Sequence, residues 1–514
     1  MQARGRWMGW IRTAAAALAL TLVAGVASAQ TAQGVVRVGT DVDAQSLDPR
    51  LQRETTGYRV INLVYSGLVQ LDAQLNPVAD LAERWENPDP RTWVFHLRRN
   101  AKFHDGRPVT AADVVFTYQT ILDPALNARF RSLYTPIDAI EAADEFTVRI
   151  RLKEPYAPLL SYLDLGIVPK HLVEGGRDLN TQPVGSGPFR FVRWDRGSRI
   201  VLEANPDYFA GRPRVNGIEF VVVPDNTARA QALEAGDLHI IQSPLSPRDI
   251  QRLDRDRRFV HAGLPGLGVT YLNFNTRNEN LSDPRMRRAL AMLVDQATIV
   301  NQIYEGTDQA ATSVLLPSLA WSYDAAIRQP GFDVNAAKAL LAEMGWRAGA
   351  DGILARNGRR LQVTLSTHSE DPSRVQSVEF IQNTMRQAGV DVRVQITDWP
   401  PFNTGVQQGR HEVALLGWLL LVDPDRLLYA QLHSQGSLNW GGYSNPQVDQ
   451  ALDRARSALS QADRAAAYRD AARQLAQDVP YYIISYQGFH VFTARALETF
   501  RPDPRGYLRS LAAN

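Results

Sequence analysis

Three stretches of this 514-residue chain hold residue types that a catalytic or metal centre would use. Gly185-Ser186-Gly187 sets a serine between glycines. A nucleophile elbow, however, needs Gly-x-Ser-x-Gly on a bend from strand to helix, and here Pro188 follows and a strand pattern continues. His96, His104 and Asp105 form the densest local group of potential metal ligands, yet no His-Glu-x-x-His pair places two imidazoles on one helical face. Gly263, Gly266 and Gly268 come in the wrong order for a dinucleotide loop, and no Gly-Lys-Ser/Thr turn exists to cradle phosphate. The expectation is a chain without a catalytic set, a metal or a cofactor.

A fourth stretch suggests binding. "HEVALLGWLLLVDPDR", His411 to Arg426, holds ten apolar or glycine residues from Val413 to Val422 and then stops at Asp423-Pro424-Asp425. A bilayer core needs about 20 apolar residues, so the run is too short to span one. Its bulk and its sharp end predict a strand covered on both faces, with Trp418 as a candidate for something more than packing.

Composition narrows the class. Hydrophobic residues at 45% and charged residues at 21% describe an ordinary folded chain, long enough for two to four lobes at ~150 residues each. Arg4, Arg6 and Arg12 precede an Ala/Leu/Val run ending in Ala27-Ser28-Ala29, the pattern of a secretory signal over residues 1–29. Without those three arginines 53 basic residues face 54 acidic ones, so no basic patch invites nucleic acid. No cysteine is present, which removes disulfides, thiolate chemistry and a lipid-acceptor cysteine. The expected location is the periplasm, without a lipid anchor.

The elements that would position a site alternate in type. Trp93, Phe95 and Leu97 alternate as in a half-buried strand. Thr110 and Asp113 predict a capping box for the helix that carries Val114 and Tyr118. A helix is expected over Tyr58 to Leu71, another from about Pro372 to Ala388, and a third over Arg464 to Asp478. Strands and helices in turn argue for α/β lobes.

Four ordered blocks carry a resemblance: "VYSGLVQLDAQLNPVADLAERWENPDPRTWVFHLRRNAKFHDGRPVTAADVVFTY", "VGSGPFRFVRW" with "ANPDYF", "YLNFNTRNENLSDPRMRRALAMLVD", and "GWLLLVDPD" with "NWGGYSNPQVDQAL". In this order they resemble the extracellular solute-binding proteins, family 5, of peptide, opine and nickel importers of the ATP-binding-cassette (ABC) type. The resemblance implies an α/β, two-lobed periplasmic-binding-protein clamp of type II, with an extra subdomain inserted in the first lobe. It sets the expected division at 30–68, 185–268 and 484–514 for the first lobe, 69–184 for the insert and 269–483 for the second lobe. Expected partners are a small peptide-like, opine or glycoside solute and ABC permease subunits, the chain itself being monomeric. A secreted hydrolase and a chaperone-like module are the rival classes.

The resemblance also marks site positions. Peptide-binding relatives carry an aspartate three residues after the tryptophan, where it pairs with the peptide ammonium; the matching residue here is Leu421. Nickel-binding relatives offer a tyrosine where this chain has Val422. Trp418 and Leu421 are expected to face the cleft, joined by Asn439, Trp440 and Tyr443 on the following loop and by Glu54, Thr56 and Tyr58 from the first lobe. Tyr271 and Asn273 are expected to be structural.

Overall fold

The computed structural model describes residues 34–512 except 53 and 420, so the expected signal over 1–29 lies outside the described residues. Local chemistry starts the elements where expected. The Asp113 carboxylate accepts from the Thr110 amide at 3.0 Å and its hydroxyl at 2.8 Å, opening the helix Ala111–Leu122. In Thr92–Leu97 the residues Trp93, Phe95 and Leu97 turn inward and their neighbours outward. The later helices run Pro372–Gln387 and Gln461–Asp478.

One expectation fails. The helix read over Tyr58 to Leu71 is Thr55–Val64 only, followed by a turn and a short strand, Val69–Leu71. The apolar spacing carries on, but the backbone at Gly67 lies against residue 164, where an added Cβ would come within 2.7 Å of the Asp164 carbonyl carbon. That contact needs the chain to leave the helix and cross the insert.

Eleven strands form one mixed sheet. Its path runs Asp391–Thr397, Gln362–His368, Val413–Trp418, Phe259–Phe274, Tyr481–Ala494, Ile240–Ile241, Val35–Thr40, Gly217–Val222, Arg199–Ala204, Phe189–Asp195, and the eleventh strand, Gln309–Ala310, pairs with Tyr481–Ala494 off this path. Phe259–Phe274 and Tyr481–Ala494 are antiparallel and long enough to belong to both halves. Their register shifts between Pro265 and Val269, opposite Gln487, where Gly266 lets the backbone approach the Gln487 carbonyl and Gly268 lies against the Gln487 side chain, and again between Thr270 and Tyr271. A separate four-stranded antiparallel sheet lies within 82–152 and has its own core around Phe95, Tyr118 and Ile150.

The apolar run becomes a central strand. Val413 and Leu415 enter one core of the second lobe, while Ala414 and Leu416 enter the core on the opposite face. Two apolar faces explain why the stretch does not alternate. It ends at Trp418; Leu419 is exposed, and Asp423 then caps the helix Pro424–Leu432 by accepting from the Asp425 amide at 3.0 Å. No helix among the described residues is long and apolar enough to cross a membrane.

The cleft between the lobes

Two cavities lie between residues 121–165 and residues 418–456, and the smaller, inner one is also bordered by residues 49–58 and 505–507. The outer one has a volume of about 610 Å³, and the inner about 70 Å³. Phe130, Leu133, Tyr162 and Arg426 line both. An outer chamber of this size lies within the range of organic-ligand pockets, roughly 300–1,000 Å³.

The walls come from remote segments that ion pairs hold in place. On the second-lobe side, Arg456 grips Asp425 through Nε and Nη2, both at 3.0 Å. Its guanidinium lies 3.3 Å over the Tyr429 ring and 5.1 Å over Tyr156 of the insert. Deeper in, Arg464 holds Asp423 at 2.8 and 2.9 Å, and the Ser161 hydroxyl of the insert donates to the same carboxylate at 3.0 Å. Insert and second lobe therefore touch directly on either side of the cleft. Arg426, at the junction of the two cavities, lies 5.2 Å over the Phe130 ring, and Tyr58 packs against Phe130 with centroids 6.1 Å apart.

The predicted site residues divide. Trp418 lines the outer chamber, its buried Nε1–H without a hydrogen-bond partner among the described residues. Tyr58 lines the inner cavity, and burial pushes its phenol well above the usual range. The other six are placed elsewhere.

Leu421 is fully buried in the second-lobe core and lines neither cavity. Its amide donates to the Leu267 carbonyl at 2.9 Å, fixing the backbone beside the crossing strand with the side chain inside. Asn439 uses its amide on the loop itself, donating to the His433 and Tyr443 carbonyls at 3.1 and 2.7 Å and accepting from the Tyr443 amide at 3.0 Å. Tyr443 is buried and donates to Asp478 at 2.6 Å, and Trp440 packs edge-on against Trp418 with centroids 6.2 Å apart. In the first lobe, Glu54 caps its helix by accepting from the Gly57 amide at 2.9 Å, and Thr56 donates to the Val42 carbonyl at 2.9 Å. Tyr271 and Asn273 are buried in the sheet, Tyr271 donating to Gln431 at 3.1 Å.

The cleft residues that sequence reasoning missed are Phe130, Tyr162, Asp164, Arg426, Arg505 and Tyr507. Arg505 and Tyr507 flank Gly506, whose φ of 77° turns the C-terminal segment into the wall. The signal for them was faint: "RPDPRGY" reads as a surface turn.

Comparison with known proteins agrees with this architecture. The oligopeptide-binding protein AppA of Bacillus subtilis is 30% identical over 463 residues, covering 86% of this chain and 84% of AppA. The solved structure of AppA with a nonapeptide superposes with a TM-score of 0.74 at 27% identity, over 93% of this chain and 98% of that one. AgaA of A. tumefaciens R10, solved with agropinic acid, gives a TM-score of 0.72 at 27% identity, over 93% and 96%. The family model for bacterial extracellular solute-binding proteins, family 5 Middle, matches residues 76–439. With that match across most of the described chain and a two-lobed fold around an aromatic cleft, the chain belongs to the bacterial extracellular solute-binding proteins of family 5.

Proposed function

We infer that this chain captures a small peptide-like or other polar organic solute in the periplasm and delivers it to the permease subunits of an ABC importer. It acts as a monomer, without a cofactor and without making or breaking a bond. The observation that carries this reading is the chamber of about 610 Å³ between insert and second lobe, walled by Phe130, Tyr156, Trp418 and Tyr429. A guest that touches both walls favours the closed arrangement by its extra contacts there.

Peptide and opine classes enter through the relatives, one solved with a nonapeptide and one with agropinic acid. Leu421 argues against a peptide held by its ammonium at that position. An ammonium buried in that apolar core would lack a counter-charge, at a cost of several kcal/mol.

The test is mass spectrometry of whatever is released when protein purified from its native periplasm is denatured. One small solute in near-equal amount to protein is expected. Recovery of no solute, or turnover of the recovered solute by the protein, overturns the reading.

A further inference from the structure

Four polar groups from four separate segments line up along the two long strands, beside the place where their register shifts. Asp254 ends the helix Pro247–Asp254, and its carboxylate lies 2.7 Å from His261 Nδ1. His261 Nε2 lies 3.0 Å from Nδ1 of His490 on the neighbouring strand, and His490 Nε2 lies 3.1 Å from the Thr307 carbonyl oxygen. All three separations are those of hydrogen bonds. Phe492 stacks on His261 with ring centroids 4.3 Å apart and steadies the imidazole in the row. The two ends of the row are anchored in different cores. Ile250 and Leu253 of the helix pack with Ile241 and Phe492, whereas Tyr304, just before Thr307, packs against the core of Leu272 and Ile484.

The loop that carries Thr307 lies along Tyr481–Ala494 like a splint across the irregular pairing. On one side of Gln487, Gln309 and Ala310 pair with Tyr486 and Ser485. On the other, the Gly488 amide donates to Asp308 at 3.2 Å and the Thr307 carbonyl meets His490. A Cβ on Gly488 would strike the Thr307 carbonyl oxygen, so glycine is what lets the loop lie this close.

A count of protons shows what the row requires. Both ends, a carboxylate and a carbonyl, only accept, so three links need three N–H groups, and two neutral imidazoles carry two. The row is complete with one imidazolium. Without it, one link sets two acceptors face to face. The bond to the carboxylate is charge-assisted and the stronger end, so the neutral pair keeps Asp254 and turns a lone pair toward Thr307.

We propose that the His261–His490 pair is a proton-operated fastening across the bend between the lobes: with one extra proton it ties the Thr307 loop down and stiffens the bend, and on losing that proton it releases the loop. The inference stands apart from what the cleft binds. The titratable groups facing the pair are Asp254, from the helix, and Asp308, from the loop. Burial raises the Asp308 carboxyl, against hydrogen bonds from Ser485 and Gly488 and the pull of His490, so the test separates the two acids.

Because the chain has no cysteine, Ala235→Cys and Ala466→Cys place one spin label on the helix Asn226–Ala235 and one on the helix Gln461–Asp478, both at exposed positions. Pulsed electron resonance on the mature, solute-free chain reads the distance between them at about pH 6 and about pH 8, within the range in which histidine changes charge. The distribution is expected to be narrow at the lower pH, and the ratio of narrow to broad populations to fall about tenfold at the higher, the size of one lost hydrogen bond. Asp254→Asn supplies the missing proton from its own amide, which donates to His261 Nδ1 and completes the row with both imidazoles neutral; its distribution should stay narrow at both pH values. His490→Phe has no donor for Thr307 and should be broad at both. Circular dichroism checks that it folds, and Asp254→Asn, which alters a side chain 59% exposed, decides the matter if it does not. An unchanged distribution in the parent overturns the proposal. So does a narrow distribution in folded His490→Phe, or a pH response that survives in Asp254→Asn and so belongs to Asp308.

Discussion

Leu421 and Trp418 are three residues apart and have opposite fates. The indole borders the outer chamber, whereas the leucine lies in the core beside Leu267, Leu427 and Leu428. Leu421→Ala is expected to cost about 2–5 kcal/mol in urea unfolding, the range for truncating a fully buried leucine. Leu421→Asp should destabilise at least as much and leave solute preference unchanged, because an unpaired carboxylate would sit in that core. A folded, stable aspartate variant with new preference for cations would show that the position faces the cleft. Asn439 and Tyr443 mislead in a related way. A side chain that both donates and accepts serves a loop as well as a ligand, and here His433 and Asp478 use these groups first.

Elements were more legible than sites. Apolar periodicity and caps mark the helices Ala111–Leu122 and Pro372–Gln387 because those signals act within one turn of chain. The cleft is assembled from segments hundreds of residues apart, and no local pattern distinguishes Arg505 from any other surface arginine before Asp503 and Leu71 are brought to it. The strand Val413–Trp418 shows both sides. Its burial followed from composition, but its end at Trp418 depends on the helix that Asp423 caps. Asp423→Ala would remove that cap and leave Arg464 buried without its partner, an expected loss of about 3–5 kcal/mol by denaturant titration. His411, just before the same strand, is buried with neither ring nitrogen hydrogen-bonded, and burial, reinforced by Arg277, pushes its pKa down to about 4. The unfolded imidazole titrates near 6.5, so between those values the unfolded chain binds the extra proton. The stability from neutral His411 is therefore complete above about pH 6.5 and is lost as pH falls through 4, on the order of 3 kcal/mol. Urea midpoints at pH 7.5 and 4.5 should converge in His411→Leu relative to the parent; an unchanged gap would contradict the assignment.

At the scale of the molecule, two strands carry the connection between lobes within the sheet, and their pairing shifts register at two nearby places, opposite Gln487 and between Thr270 and Tyr271. Motion confined to that stretch would let each lobe move as a body. A solute that binds only the folded clamp should raise stability by RT ln(1 + [L]/Kd), about 2.7 kcal/mol at a hundredfold excess over Kd, read as a concentration-dependent rise in Tm. A Tm indifferent to the recovered solute would mean that it was carried passively. Trp418 lines the outer chamber, with its indole N–H unsatisfied among the described residues. A guest packed against that side chain would alter the polarity felt by the excited ring, so the protein holds a natural optical gauge of its own occupancy, and replacing Trp418 with phenylalanine would silence the gauge while the other indoles kept glowing.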